Sequence, residues 1–254
     1  MSEQYESPII TIERRKAVTI IISAVIVSLA LAGGLMKVGS GFAARSTEGI
    51  SVTGSAKVAA IADNAVWTLN VQESSGKVAD AVAQVGASIT SLTKYLTQGG
   101  IPVDAITLGA VSTYANPEFV NGNPTGRILS HNAGRDLTVR SKDVQLIAKL
   151  SQSIGVLLQT GVNVNNYGPQ YYVSTLPSLR PTLLEDAMKD AQVRAIALTK
   201  AVGGTIGSVL SVRSGPFQVT TPDSTMTSDA GAYDTSTIEK TVTATVSVTF
   251  KTKQ

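Results

Sequence analysis

The sequence has no cysteine, one histidine and one tryptophan, and aromatic residues fill only 5% of its 254 positions. Without cysteine there is no disulfide, no thiolate metal site and no cysteine nucleophile, so an exported domain of this composition relies on packing alone. The only imidazole, His131, is the sole base open to a Ser-His-Asp arrangement. Asp136 falls on the opposite strand face from it, and no Gly-x-Ser-x-Gly elbow precedes a helix. Runs of Lys and Arg interleaved with aromatics are missing, so no nucleic-acid partner is indicated. Gly203-Gly204-Thr205-Ile206-Gly207 stands at a helix end and lacks the amide-rich N-terminus that cradles phosphate. Asp223, Asp229 and Asp234 do not have the spacing of an EF-hand loop. No catalytic residue, cofactor or metal ligand is expected, and the chain reads as non-enzymatic.

Charge is also missing from Ala17 to Met36 (AVTIIISAVIVSLALAGGLM), a stretch of about twenty residues. At 1.5 Å per residue it can cross a hydrocarbon core of roughly 30 Å. Arg14, Arg15 and Lys16 precede it, which favours a cytoplasmic N-terminus. A cleaved secretory signal, cut near Phe42-Ala43-Ala44, is the alternative to a retained anchor. The length and the early Lys37 favour the anchor. Ala24, Ser28 and Ala32 recur every fourth residue, a small-residue stripe along which a second membrane helix could pack. The expected organisation is therefore a cytoplasmic tail (1–16), a single transmembrane anchor (17–36) whose partner is the lipid bilayer, a Gly/Ser-rich stalk (37–49), and an extracytoplasmic domain (50–254).

Within that domain the apolar spacing alternates between period two and the helical period. Ile50, Val52, Gly54, Ala56 and Val58 predict one strand, and Ala65, Trp67, Leu69 and Val71 a second. Val78, Val82, Val85, Ile89, Leu92 and Leu96 predict a helix that stops at Gly99-Gly100. Strands are expected at Ile106 to Tyr114 and Leu129 to Val139, separated by an Asn/Pro/Gly-rich loop, then a helix from Asp143 to Leu158 between a Ser141 cap and Gly161.

Val162 to Val173 reads as a strand and carries Tyr167, Tyr171 and Tyr172, three of the seven tyrosines. These are either ordinary strand residues or a contact surface. Thr182 and Glu185 form a capping box ahead of an Ala-rich helix ending at Gly203-Gly204, and Ile206 to Val212 follows as a strand. Pro216 to Glu239 has no Lys or Arg, is rich in Ser and Thr, and is expected to be a mobile loop. Val242, Ala244, Val246, Val248 and Phe250 alternate cleanly with Thr and Ser as a final strand. The order ββαββαβαββ predicts an α+β domain, a mostly antiparallel sheet with helices on one face.

Four segments in that order resemble the SIMPL-domain family of exported bacterial proteins, which includes a periplasmic immunogenic-protein branch. They are Ile50 to Ala56 with the Ala62-Asp63 turn; Ser130 to Val139; Asp186-Ala187 through Gly203-Gly204 to Val209; and Ile238 to Phe250. His131 departs from the aromatic residue the family usually has there. The resemblance implies an exported or anchored envelope protein, and some members are similar to closed rings or hollow barrels in their assembly. It supplies no catalytic set.

A homo-oligomer is therefore expected. The candidate edge strands are the opening one, with Ile50 and Val52, and the final one, with Val242, Val246 and Val248. The alternative is a ligand-binding module that holds a small apolar or aromatic molecule, against Tyr167–Tyr172 or in an oligomer cavity. The topology is testable by adding protease to spheroplasts: digestion of everything beyond Met36 is the expected result, and protection of that domain contradicts a cytoplasmic N-terminus.

Overall fold

The computed structural model describes residues 49–253 and Ser28, which is helical and exposed. The rest of the expected anchor, Ala24 and Ala32 included, and the stalk before Gly49 lie outside the described residues. Among the described residues no helix is long and apolar enough to cross a membrane. In order the elements are β1 (Gly49–Ile61), β2 (Asn64–Ser75), α1 (Val78–Gln98), a 3-10 turn (Val103–Ala105), β3 (Ile106–Val120), β4 (Asn123–Ser141), α2 (Val144–Ser153), α3 (Gly155–Gln159), β5 (Val164–Asn166), β6 (Gln170–Tyr172), α4 (Leu176–Ala201), β7 (Thr205–Ser214), β8 (Gln218–Thr220) and β9 (Glu239–Lys253).

The fold is α+β as expected, but the strands form two antiparallel sheets rather than one. In the first, β9 runs between β1 on one side and β7 and β8 on the other. In the second, the order is β3-β4-β2, with β5 and β6 both on the far side of β2. Ala62-Asp63 is where the chain changes sheet, and the Asp63 carboxylate fastens that corner by accepting from the Ser174 amide (2.7 Å) and hydroxyl (2.6 Å). Those two bonds hold the Asp63 pKa below its ordinary value.

Each sheet buries one face. Trp67, Leu69 and Val71 of β2 and Leu137 and Val139 of β4 pack with Val85, Ile89, Leu92 and Leu96 of α1 and Ile147 and Leu150 of α2. The predicted α1 stripe holds except at its first member, since Val78 is exposed and Ala81 is buried instead. On the first sheet, Val52, Val246, Val248 and Phe250 pack under Ala187, Ala191 and Ala195 of α4. A side chain at Gly54 would collide with the Ala187 carbonyl and the Ala191 amide. The small residues of both elements are what let helix and strand backbones meet.

Several expected boundaries move. Residues 115–126 are not a loop: β3 and β4 continue as a two-stranded ribbon to a tight turn at Asn121 (φ 49°) and Gly122 (φ 78°). Both central residues have positive φ, the two-residue hairpin geometry that Asn-Gly favours. Pro117 and Pro124 fit there because a ribbon leaves outward amides unpaired anyway. The helix after Ser141 breaks into α2 and α3, and its cap is the Asp143 carboxylate, which accepts from the Leu146 amide at 2.9 Å. Gly161 ends it with φ 87°. Helix α4 begins at Leu176, before the Thr182 capping box, and Pro181 lies inside it. At the sixth helical residue that proline stands beyond the four free amides of the start, so the bond to the Pro177 carbonyl is forgone.

The expected mobile loop at 216–239 is instead a strap folded onto both sheets. It contains β8, paired with β9 from Gln218↔Thr243 to Thr220↔Thr241. The Gln218 amide bonds the Ser228 carbonyl and the Ala232 amide, each at 2.7 Å. Further on, the Tyr233 hydroxyl accepts from the Val173 amide (2.9 Å), and the Thr235 carbonyl accepts from the Tyr171 amide (2.8 Å). Composition suggested too little apolar surface to order this segment, yet it is tied down mainly by hydrogen bonds to backbone groups.

One charge reinforces the strap. Lys240, on the covered face of β9, is 1% exposed, and its ammonium donates to Asp234 Oδ1 at 3.0 Å. Burial acts to raise the Asp234 pKa, but the Lys240 and Ser236 hydrogen bonds outweigh it and leave it lowered. A lowered carboxylate pKa contributes stability above its unfolded value of 3.8, lost as the pH falls through the still lower folded value. Asp234→Asn should cost about 2 kcal/mol at neutral pH, the low side for a broken buried pair because Asp234 is partly open to solvent. Lys240→Met should be nearly neutral, since it removes the buried charge and keeps the packing. Urea unfolding of both variants at pH 7 and below pH 4 measures this, with the Asp234→Asn deficit shrinking in acid.

Candidate functional site

No catalytic constellation forms around His131. Its side chain makes no hydrogen bond among the described residues, and the strand register sets it between Ser75 of β2 and Ala115 of β3. Asp136 lies on the other face of β4, where it accepts from Asn70 Nδ2 at 2.6 Å. Among the described residues no group of three or more His, Asp or Glu is placed to hold a metal ion.

What the fold leaves available are sheet edges, and of the two strands the sequence suggested only the opening one is among them. Val242, Val246 and Val248 lie in β9, which is bonded on both sides along its length and is the centre of its sheet. A terminal position in sequence carries no information about lateral position. Ile50 and Val52 do belong to an end strand, but both side chains pack toward α4, and the Ser55 amide of β1 donates to Asp190 of that helix at 2.8 Å. This bond, with Arg194 beside it, lowers the Asp190 pKa.

The short edges, β8 and β6, are occupied. Residues 232–234 of the strap bond along β8, and Thr235 takes the Tyr171 amide of β6. Three long edges carry no further strand among the described residues: β1, of which only the Ser55 amide is bonded to α4, and β7 in the first sheet, and β3 in the second. Of these, β7 and β3 expose several large apolar side chains. Val209, Leu210 and Val212 of β7 are exposed, as are Val111, Tyr114, Phe119 and Val120 of β3. On β7 the sequence carries a mark of this exposure, since adjacent Val209 and Leu210 break the alternation of a strand with one buried face.

The tyrosines separate. Tyr172 turns toward the strap, its ring 5.9 Å from that of Tyr233, and its hydroxyl donates to Gln170. Tyr171 is buried, which raises its pKa. Tyr167 is 85% exposed. The single strand expected over Val162 to Val173 is interrupted between β5 and β6, so that Tyr167, Gly168 (φ 83°) and Pro169 stand opposite only Trp67 and Thr68 of β2. This is a bulge, and it turns Tyr167 outward.

Asn166 braces the bulge. Its Oδ1 accepts from Trp67 Nε1 (2.9 Å) and the Gly168 amide (3.0 Å), and its Nδ2 donates to the Ser151 carbonyl (3.2 Å) on α2. Between the bulge, α2 and the strap lies a groove of ≈ 560 Å³, whose walls include Tyr167 and Tyr171.

Comparison with known proteins gives one family. The family model described as "SIMPL: Protein of unknown function (DUF541)" matches residues 50–250. No curated protein matches the chain.

Because Trp67 is fully buried and its indole N–H goes to Asn166, Asn166→Ala should strand that donor and cost about 1–3 kcal/mol. Asn166→Asp, which keeps an acceptor, should cost less. Denaturant unfolding followed by the fluorescence of this single tryptophan reads both variants, and an unchanged midpoint for Asn166→Ala would show that the brace carries no stability.

Proposed function

The chain belongs to the SIMPL family, and on that premise we propose that it is a non-enzymatic envelope protein, held in the cell membrane by residues 17–36 with its main domain outside the cytoplasm. There the domain self-assembles into a ring or barrel-like homo-oligomer. The observation that carries this reading is the pair of long apolar edges, β7 and β3, on different sheets of the same molecule.

An unpaired strand edge with apolar side chains is a template for another strand, and soluble monomers ordinarily blunt such edges with charge, cover or brevity. Here β8, β6 and part of β1 are covered by the chain itself. By contrast, β7 has ten residues with Arg213 as its only charge, and β3 has fifteen with only Glu118, which is paired to Arg127 across the ribbon. If β7 of one copy joins β3 of the next, the contact is between unlike patches. Such a contact repeats and either closes into a ring or runs on as a filament. Anchoring every copy in one membrane aligns the domains and favours closure.

Substituting a lysine into the β7 edge tests this. Val212 is half exposed, so Val212→Lys should leave the melting temperature nearly unchanged while the particle mass of the full chain, read by light scattering in detergent, falls toward that of one copy. A wild-type chain that is monomeric in the same detergent contradicts self-assembly. A variant that keeps the wild-type mass removes β7 from the interface.

A further inference from the structure

We infer that the groove beside Tyr167 is a binding site for a neutral saccharide. The groove has ≈ 560 Å³, within the range of roughly 300–1,000 Å³ typical of small-ligand sites. None of its lining residues is charged. An ionic ligand would lose its hydration there without meeting a counter-charge. An apolar guest fits no better. Gln152 of α2, Gln170, Tyr167 and Thr235 line the groove, and the Gln152 side chain, the Gln170 amide nitrogen and the Tyr167 and Thr235 hydroxyls make no hydrogen bond among the described residues, so a hydrocarbon guest that covered them would strip their water and return nothing. A ligand that is uncharged, rich in hydroxyls and apolar on one face satisfies both conditions. Amides and hydroxyls give and accept bonds with the sugar hydroxyls, while the C–H face of a pyranose ring lies against the Tyr167 ring.

The groove is built rather than incidental. The β5–β6 ladder is broken at one place, and the break carries Tyr167. Gly168 supplies a positive φ there and Pro169 fixes the exit. Asn166 then ties the bulge to the buried Trp67 and to Ser151, so the exposed ring stands on a rigid base. The facing wall is held as firmly, since the Thr235 carbonyl takes the Tyr171 amide and the Asp234 carboxylate takes the Ser236 amide and hydroxyl. The groove lies on the β5–β6 side of its sheet, away from β3 at the other end. Saccharide binding therefore goes beyond the assembly reading and does not depend on it.

The test uses the full chain in a detergent without a sugar headgroup, which would otherwise compete. Saturation-transfer NMR is run with cellobiose, maltotriose and chitotriose, and with a uronic-acid oligosaccharide as the charged control. Transfer to the ring C–H protons of at least one neutral saccharide is expected. Tyr167→Ala should weaken it about tenfold. Tyr167→Phe should retain most of it, and Gln152→Ala should weaken it with an unchanged thermal melt. No transfer to any neutral saccharide at millimolar concentration, transfer undiminished in a Tyr167→Ala/Gln152→Ala chain that melts normally, or preference for the uronic-acid oligosaccharide would each overturn the inference.

Discussion

The pairing of the two ends of the domain governs the rest of this molecule. Strand β9 lies against β1 without a break from Gly49↔Lys251 to Ile61↔Glu239, so nearly two hundred residues of chain are closed into one loop by a single ladder. Such a contact is expensive in chain entropy and slow to form, and it is worth that cost only if what it completes is well packed. It completes the face on which α4 sits, with Gly54 and the alanines of the helix meeting at backbone distance. Once β9 is the middle strand, β1 and β7 become the ends of that sheet, and the strap between β8 and β9 is drawn across to the other sheet.

That chain of consequences explains which parts were legible in the sequence. Local periodicity identified α1, β2 and β9 and placed their buried faces correctly, because a residue's orientation within an element follows from spacing alone. Lateral order does not. Nothing in Val242 to Phe250 distinguishes a central strand from an edge, since alternation reports one covered face and says nothing of the two sides. The Asn121-Gly122 turn was readable in principle, and the nearby prolines masked it as a loop. The order of the strap is invisible to composition because it comes from Tyr233 and the Thr235 carbonyl reaching Val173 and Tyr171 far away in sequence, from Gln218 and Asp234 bonding nearer groups, and from a buried lysine that composition counts as polar. The Tyr167 bulge was likewise hidden, though Gly168-Pro169 in the middle of a strand pattern was its local mark.

The candidate functional features share a physical origin: each lies where the hydrogen-bond ladder stops. At β7 and β3 it stops because the sheet ends; at Tyr167 it stops because the strand is interrupted. If residues 17–36 anchor each copy as proposed, a copy has little freedom to choose its neighbours' orientation, and unlike edges presented on one molecule are well suited to meeting those of the next. Such an anchor would raise the local concentration of domains and lower the affinity each edge must supply. A groove on the opposite margin of the second sheet would then remain accessible in the assembled state.

The absence of cysteine makes the proposed edge-to-edge contact directly measurable. Full-length chains carrying Val212→Cys alone, Thr113→Cys alone, or both would be treated in the membrane with a short thiol cross-linker. Assembly through unlike edges predicts that each single variant stays uncross-linked, that a mixture of the two gives dimers, and that the double variant gives a ladder of higher species. Dimers from Val212→Cys alone would mean that β7 pairs with itself, and no cross-linking in any arrangement would contradict assembly through these edges.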